Sequence, residues 1–534
     1  MDDPQTRRHQ RIQRLVADGG ASLFADNRIG LEKESLRVSP SGRLAATPHP
    51  MALGAALCHP YMTTDFSEAL VELITPPLNT STAALAFLQD IHGYVYRHLG
   101  DERLWTTSMP CALETGQNIP LAHYGTSNAA TMKTVYRRGL GNRYGRTMQL
   151  IAGVHFNFSF AETFWERYQT HEADAGEPLG FRSEAQMDMI RNLQRRGWLV
   201  PYLFGASPAV CASFVQGRAT ELQRFDDDTL YLPDATSLRM GDIGYQNKQE
   251  EGTGIKANYD SLDSYVRSLT WAIQTPCPQY ENIGVKVGNR YEQLNANVLQ
   301  IENEYYSTVR PKQVTDWLEK PTLALRRRGI RYVELRSLDV NLFEPLGVGS
   351  EQLLFLEVLL LDCLLLDSPR IGAAERREID TNQILTAHHG RKSGLHLAHE
   401  RQPVMLSQWA DEILDGMAAV AELLDGAADG PRSVNLRRQK EKITHPELTP
   451  SAQILEMMRD RREGFCELAQ RFSGEHRQTL LRLPLNPEHQ ALFDQLARDS
   501  LRQQQAIEAA DNLGFDDFLS AYFTQGQRAS GQIG

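Results

Sequence analysis

The sequence predicts an α+β protein: an N-terminal two-thirds in which strands and helices alternate, then an almost wholly helical C-terminal third. Three patterns lead there. The stretch 329–345, GIRYVELRSLDVNLFEP, alternates with a period of two, so Val333 and Leu335 share one strand face and Glu334 and Arg336 the other. QLIAGVHFNFSF repeats the alternation, setting Ala152, Val154, Phe156 and Phe158 against Gly153, His155, Asn157 and Ser159. Beyond Val348 the chain becomes rich in Leu and Ala at helical spacing.

Along the chain, residues 10–25 read as an amphipathic helix, and 30–77 as strands separated by turn signals such as SPSG and TPP. A helix follows over 81–99. Another begins after Ser183 and ends near 201–205, and a polar loop carries RMGDIGYQNK. A strand pair is expected at 291–306 and 330–340, and LLDGAADGPRS at 423–433 reads as an interhelical loop. No internal repeat is visible.

The 534 residues suffice for about two to four average domains or for one large sheet-based enzyme. A composition 41% hydrophobic and 23% charged, with net charge −11, is that of a mildly acidic globular protein and argues against a nucleic-acid or anionic-membrane partner. The six cysteines are scattered without a CxxC, which points to reduced thiols in a cytoplasmic protein. No apolar segment follows the charged N-terminus, and the longest apolar run, 353–366, is broken by Glu357 and Asp362; neither an export signal nor a membrane span is expected.

Several strand-like segments project acids. Glu32 and Glu34 in GLEKESLRV are two residues apart, so their carboxylates lie about 6 to 7 Å apart on one face, where divalent ions could bridge them. An exposed strand edge would look the same. Glu72 follows Asp65 in TTDFSEALVELITPP, on a face shared by Glu68, Leu70 and Ile74; a carboxylate in so apolar a run needs a cation, either a basic side chain or a metal. Glu334 poses the same question, and Glu302 and Glu304 in VLQIENEYYS extend the pattern. His155 is either a hydrogen-bonded core histidine or a metal ligand. Arg137, Arg239 and Arg336 sit among glycines and aromatic residues, where a guanidinium can hold carboxylate or phosphate bidentately. Neither GxxxxGK[ST] nor a strand-linked GxGxxG occurs, so any ATP must be held another way, such as by divalent ions between carboxylates and phosphates.

Taken together, GLEKESLRV, TTDFSEALVELITPP, SMPC, YRRGLGNRYG, IAGVHFNFS, RRGWLVPYLFGASPA, LRMGDIGYQNK, QLNANVLQIENEYYS, RPK and YVELRSLDVNLFEP resemble the glutamate–cysteine ligases of gamma-proteobacterial type, in order across residues 25–350. The resemblance implies a fold similar to glutamine synthetase: a curved, mainly antiparallel sheet forming a funnel-shaped active site wrapped by helices. The catalytic core would span 1–350 and the helical region 351–534 would pack on it as one integrated domain.

It also implies ATP-dependent ligation of the γ-carboxylate of L-glutamate to the amine of L-cysteine through a γ-glutamyl phosphate, with two or three Mg²⁺, or Mn²⁺, as cofactors. The implied metal ligands are Glu32, Glu34, Asp65, Glu72, His155 and Glu334. Phe66, Tyr136, Leu140, Tyr245 and Tyr306 would form the cysteine pocket, Tyr306 being chosen over Tyr305 because strand alternation puts it with Glu302 and Glu304. Arg137 and Arg239 would bind substrate anions, and Arg336, Glu334 and Arg239 would be catalytic. Feedback inhibition by glutathione and a monomeric state are further implications. A disulfide of some members would use Cys111, but no cysteine lies near the expected partner position at 165–172. The competing expectations are a sister ligase with another amine acceptor and a catalytically silent binder of glutamate or nucleotide.

Overall fold

Period-two alternation at 28–38 becomes the long strand β1 (Arg28–Val38), on which the rest of the sheet is assembled. The computed structural model describes residues 4–110, 113, 119–215, 220–244 and 256–526. In chain order the other strands of this sheet are β2 (Met62–Thr64), β3 (Leu70–Ile74), β4 (Arg103–Leu104), β5 (Val154–Ser159), β6 (Val309–Lys312) and β7 (Tyr332–Leu338). They lie in the order β6-β7-β5-β1-β3-β2, with β4 beside the end of β1, and each pairing is antiparallel.

One face of the sheet is largely apolar, with Lys33 and Ser35 of β1 buried on it. Leu31, Val71, Leu73, Val154, Phe156, Phe158, Val333 and Leu335 join a single large core with helices from both halves of the sequence. Those helices include α1 (Pro4–Ala17), α2 (Ser81–His98), α3 (Asn128–Tyr144), α4 (Pro178–Arg196) and α5 (Ser350–Leu365). Helix α5 is buried nearly all round, as a helix apolar on every side must be. The two acids that interrupt its apolar run act as ties: Asp362, fully buried, pairs with Arg8 of α1 and Arg196 of α4, while Glu357 pairs with Arg432 and accepts a hydrogen bond from Ser81.

After α5 the chain is helical apart from the hairpin His396–His399 and Gln402–Met405. The long helix Pro487–Ala510 returns to the N-terminal region: Ser500 Oγ accepts from the Ala55 N–H at 3.0 Å, and Tyr94 donates to Asp494 at 2.9 Å. Among the described residues, no helix is long and apolar enough to cross a membrane.

Three sequence expectations need correction. The first helix is α1, displaced toward the N-terminus, and 20–24 form a short 3-10 turn. The expected strand over 291–306 does not exist: Glu302–Glu304 is a 3-10 turn, preceded by a two-residue hairpin strand, Arg290–Tyr291. Glu68 lies before β3, where its carboxylate accepts the backbone N–H groups of His49 and His123, both at 2.8 Å. The glycine-rich YRRGLGNRYG lies in α3; Gly139 is tolerated there because a Cβ would meet the Gln300 amide at 2.1 Å. Cys111 lies outside the described residues; Cys58, Cys211, Cys277 and Cys363 are free thiols.

Because Asp362 neutralises two guanidiniums at a dry junction, Asp362→Ala is expected to cost about 3 to 5 kcal/mol, seen as a marked fall in Tm by differential scanning fluorimetry. An unchanged Tm would deny the junction this role.

Candidate active site: an acidic sheet face

The antiparallel register gathers the acids. Glu34 lies opposite Glu72, Glu32 opposite His155, and Glu334 opposite Asn157, so four carboxylates from β1, β3 and β7 stand around the His155 and Asn157 side chains of β5. His155 Nδ1 is 3.0 Å from Glu32 Oε2, its Nε2 is 3.9 Å from Glu34 Oε1, and Asn157 donates to Glu32 Oε1 at 2.8 Å. The other Glu34 oxygen accepts the Gly153 N–H at 2.7 Å.

Directly opposed like charges are unfavourable, and burial amplifies the cost. Burial, together with Glu32, Asp65 and Glu34, pushes the Glu72 carboxyl well above its ordinary range. Burial also raises Glu34. For Glu334 burial works in the same direction but is outweighed by Lys312 and Arg336, which hold it well below. Lys312 Nζ is 3.2 Å from Glu334 Oε1 and Arg336 Nη1 is 3.2 Å from Oε2.

Arg336 owes its position to a break in the ladder. Leu335 pairs with Phe156 but Leu338 with Val154, so β7 has one extra residue there and Arg336 and Ser337 together oppose His155. The Arg336 carbonyl accepts from Arg239 at 2.8 Å. Arg239 lies flat against β5 because residue 153 is glycine: a Cβ there would be 2.2 Å from the guanidinium. Asp339, buried, faces Arg239 at 3.6 Å and also accepts from Ser237 and the Ala206 N–H, both at 2.9 Å. Across the site Arg137 is 3.4 Å from Asp65 and lies over the Tyr124 ring, 4.7 Å from its centroid.

The sheet thus brings Glu32, Glu34, Glu72, His155, Glu334 and Arg336 to one face, with Arg137, Asp65 and Arg239 at its flanks. Phe66 and Leu140 belong to the hydrophobic core, while Tyr136 and Tyr306 are half-buried. Tyr306 directs its hydroxyl to the Met240 sulfur at 3.7 Å, and Tyr305 turns away to accept the Ala257 N–H. The alternation argument for Tyr306 fails with the strand it assumed. Glu302 and Glu304 are likewise not on this face: Glu304 pairs with Arg143 at 2.8 Å, and Glu302 accepts from Thr322. Tyr245 lies outside the described residues. Sequence reading set Asn157 on the face of His155 without a role and missed Lys312 and Asp339; only the register shows that Asn157 and Lys312 meet the acids.

Ligand atoms of Glu32, Glu72 and His155 lie within 4.8 Å of one another. Oxygen donors with one imidazole suit Mg²⁺ or Mn²⁺, and the clustered charge and the unpartnered, buried Asn157 Oδ1 both call for a cation, so the residues fit a divalent metal.

The glutamate–cysteine ligase family model matches residues 12–385. Glutamate–cysteine ligase of Alcanivorax borkumensis is 47% identical over 96% of this chain and 99% of its own length; that of Azotobacter vinelandii is 46% identical over 96% and 97%. A crystal structure of glutamate–cysteine ligase from Francisella tularensis in complex with AMP superposes with a TM-score of 0.88 at 33% identity, over 94% of this chain and 99% of that one. A bifunctional glutathione synthetase from Pasteurella multocida, 23% identical, shares the fold at a TM-score of 0.71 over 92% of this chain and 58% of that one.

A divalent ion that relieves this repulsion must stabilise the folded chain. Millimolar Mg²⁺ or Mn²⁺ is expected to raise the Tm of the metal-stripped protein, and Glu72→Gln to abolish most of that rise. An equal rise in both would remove Glu72 from the site.

Proposed function

The chain belongs to the glutamate–cysteine ligase family, and on that footing we propose that the acidic sheet face is where it carries out the family's reaction. That reaction joins the γ-carboxylate of L-glutamate to the amine of L-cysteine with cleavage of ATP to ADP and phosphate, the first step of glutathione synthesis. The observation that carries the placement is the convergence of Glu32, Glu34, Glu72, His155 and Glu334 with Arg336 on one antiparallel face.

A carboxylate does not condense with an amine unaided, since it has no good leaving group. Its oxygen therefore attacks the γ-phosphorus of ATP, the bond to ADP breaks, and a γ-glutamyl phosphate results. The cysteine amine then attacks the acyl carbon and phosphate leaves. Glu32, Glu34, Asp65, Glu72, His155 and Glu334 would hold two or three Mg²⁺, or Mn²⁺, which would supply neutralisation of phosphate charge. Arg336 is fixed by its bulge beside Glu334 and faces the transferred phosphoryl group as a preorganised donor. Arg239, braced by Asp339, and Arg137 hold substrate carboxylate or phosphate. Glu334 keeps Arg336 oriented besides serving as a ligand. No side chain has to act as a covalent nucleophile.

Phe66, Tyr136, Leu140 and Tyr306, with Tyr245, form the wall that receives the cysteine side chain. On this reading the helices after residue 350 scaffold the sheet within one integrated domain, the protein acts as a cytoplasmic monomer, and glutathione, itself a γ-glutamyl compound, competes at the glutamate position.

The direct test is ADP release from Mg·ATP and L-glutamate with and without L-cysteine, with mass spectrometry of the product. Cysteine-dependent release with γ-glutamylcysteine formed is the expected result; release with another amine alone would identify a sister ligase, and no release a binding protein. Glu334→Gln and Arg336→Ala are each expected to lower kcat by about 10²-fold or more while the protein stays folded. An apolar wall discriminates weakly between groups of similar size, so 2-aminobutyrate is expected to replace cysteine as acceptor. A strict requirement for the thiol would overturn that wall.

A further inference from the structure

Glu334 stands at the edge of the acid cluster, yet its oxygens are taken up by Lys312 and Arg336 and do not belong to the group formed by Glu32, Glu72 and His155. The two cations are held differently. Arg336 is fixed in the β7 bulge, and its own carbonyl is bound by Arg239. Lys312 is the last residue of β6, the edge strand, and reaches Glu334 with a flexible four-carbon stem. Among the described residues its ammonium makes no other ion pair or hydrogen bond, and its side chain is 30% exposed where that of Glu334 is 1%.

A buried carboxylate must be neutralised at all times, whereas a metal site is empty for part of its life. Arg336 holds one oxygen permanently, and a second fixed cation on the other would satisfy the first need and block the second. A cation on a mobile stem with open access to water satisfies both.

We propose that Lys312 is a placeholder cation: its ammonium neutralises Glu334 while no divalent ion is bound and withdraws toward solvent when an ion takes that carboxylate. The inference rests on the reading that the acidic face binds divalent metal. Lys312 is then a positioning residue that keeps Glu334 charged, buried and ready, at the cost of competing with the ion.

Competition gives the proposal its measurable sign. If the ion binds only the fraction of molecules in which Glu334 is released, removing the competitor tightens binding by the reciprocal of that fraction, about tenfold for a release of one molecule in ten. The experiment uses the full-length, EDTA-stripped protein with no substrate, titrated with Mn²⁺ and read by the electron paramagnetic resonance of free Mn²⁺, together with Tm in EDTA and in saturating Mn²⁺. Lys312→Met is expected to bind Mn²⁺ about tenfold tighter than the wild type, to melt lower in EDTA, and to recover most of that loss in Mn²⁺. Lys312→Arg, which retains the charge, is expected to bind Mn²⁺ no tighter than the wild type. Lys312→Gln serves if the Met variant does not fold.

Unchanged or weaker Mn²⁺ binding in the neutral variants, with Tm lowered equally in both conditions, would make the pair a plain structural salt bridge and overturn the proposal. So would unchanged Mn²⁺ binding with a raised KM for ATP, which would assign Lys312 to the nucleotide. Absence of Mn²⁺ binding by the wild type would overturn the metal-site reading itself, and the placeholder with it.

Discussion

Repulsion between carboxylates pinned on one face of a sheet is the constraint around which this molecule is organised. Glu34 and Glu72 lie opposite each other across one ladder, and Glu32 and Glu334 flank the strand that separates them. Relief comes from neighbouring side chains: His155 and Asn157 against Glu32, a bulge that brings Arg336 inward, a glycine that lets Arg239 approach closely, and a lysine at the open edge. An apolar underside fastened to helices from both ends of the sequence keeps the strands in register despite the charge above. Folding crowds these charges together, and a divalent cation bound among them would relieve the crowding.

Much of this was legible in the sequence because strand periodicity is an arithmetic signal. At GLEKESLRV, VHFNFS and YVELRS the alternation specifies which side chains share a face before any partner strand is known, so the acids and His155 could be placed on one side. The same arithmetic misled at VLQIENEYYS. There two acids separated by one residue imitate a strand, whereas a turn hands them to partners distant in sequence: Glu304 to Arg143 and Tyr144, Glu302 to Thr322. The motif resemblance was correct as to family; the error touched the geometric argument for Tyr306 and the placing of Glu302 and Glu304 among the acids of the sheet face.

What the sequence could not supply is register. Lys312 and Asn157 were visible as letters, but nothing in RPK or VHFNFS says that they lie beside Glu334, because pairing between strands far apart in sequence is set by packing of the whole sheet. The bulge that turns Arg336 is similarly silent, since one extra residue in a ladder leaves the local alternation unchanged on either side. Asp339, the brace behind Arg239, is a single acid after a strand and carries no pattern at all.

The contacts between chain ends bear on how the molecule is made. Arg8 finds its buried partner 354 residues later, and Ala55 meets Ser500 across 445. At translation rates of about 5 to 20 residues per second, the segment around Ala55 waits roughly 20 to 90 s for its partner to leave the ribosome. During the first part of that interval the acid-bearing strands exist without α5, which joins the core beneath them. The nascent chain is therefore expected to present hydrophobic surface to factors that shield it, and although the last strand of the sheet ends at Leu338, completion of the core waits for the later helices that carry Leu480 and Phe493.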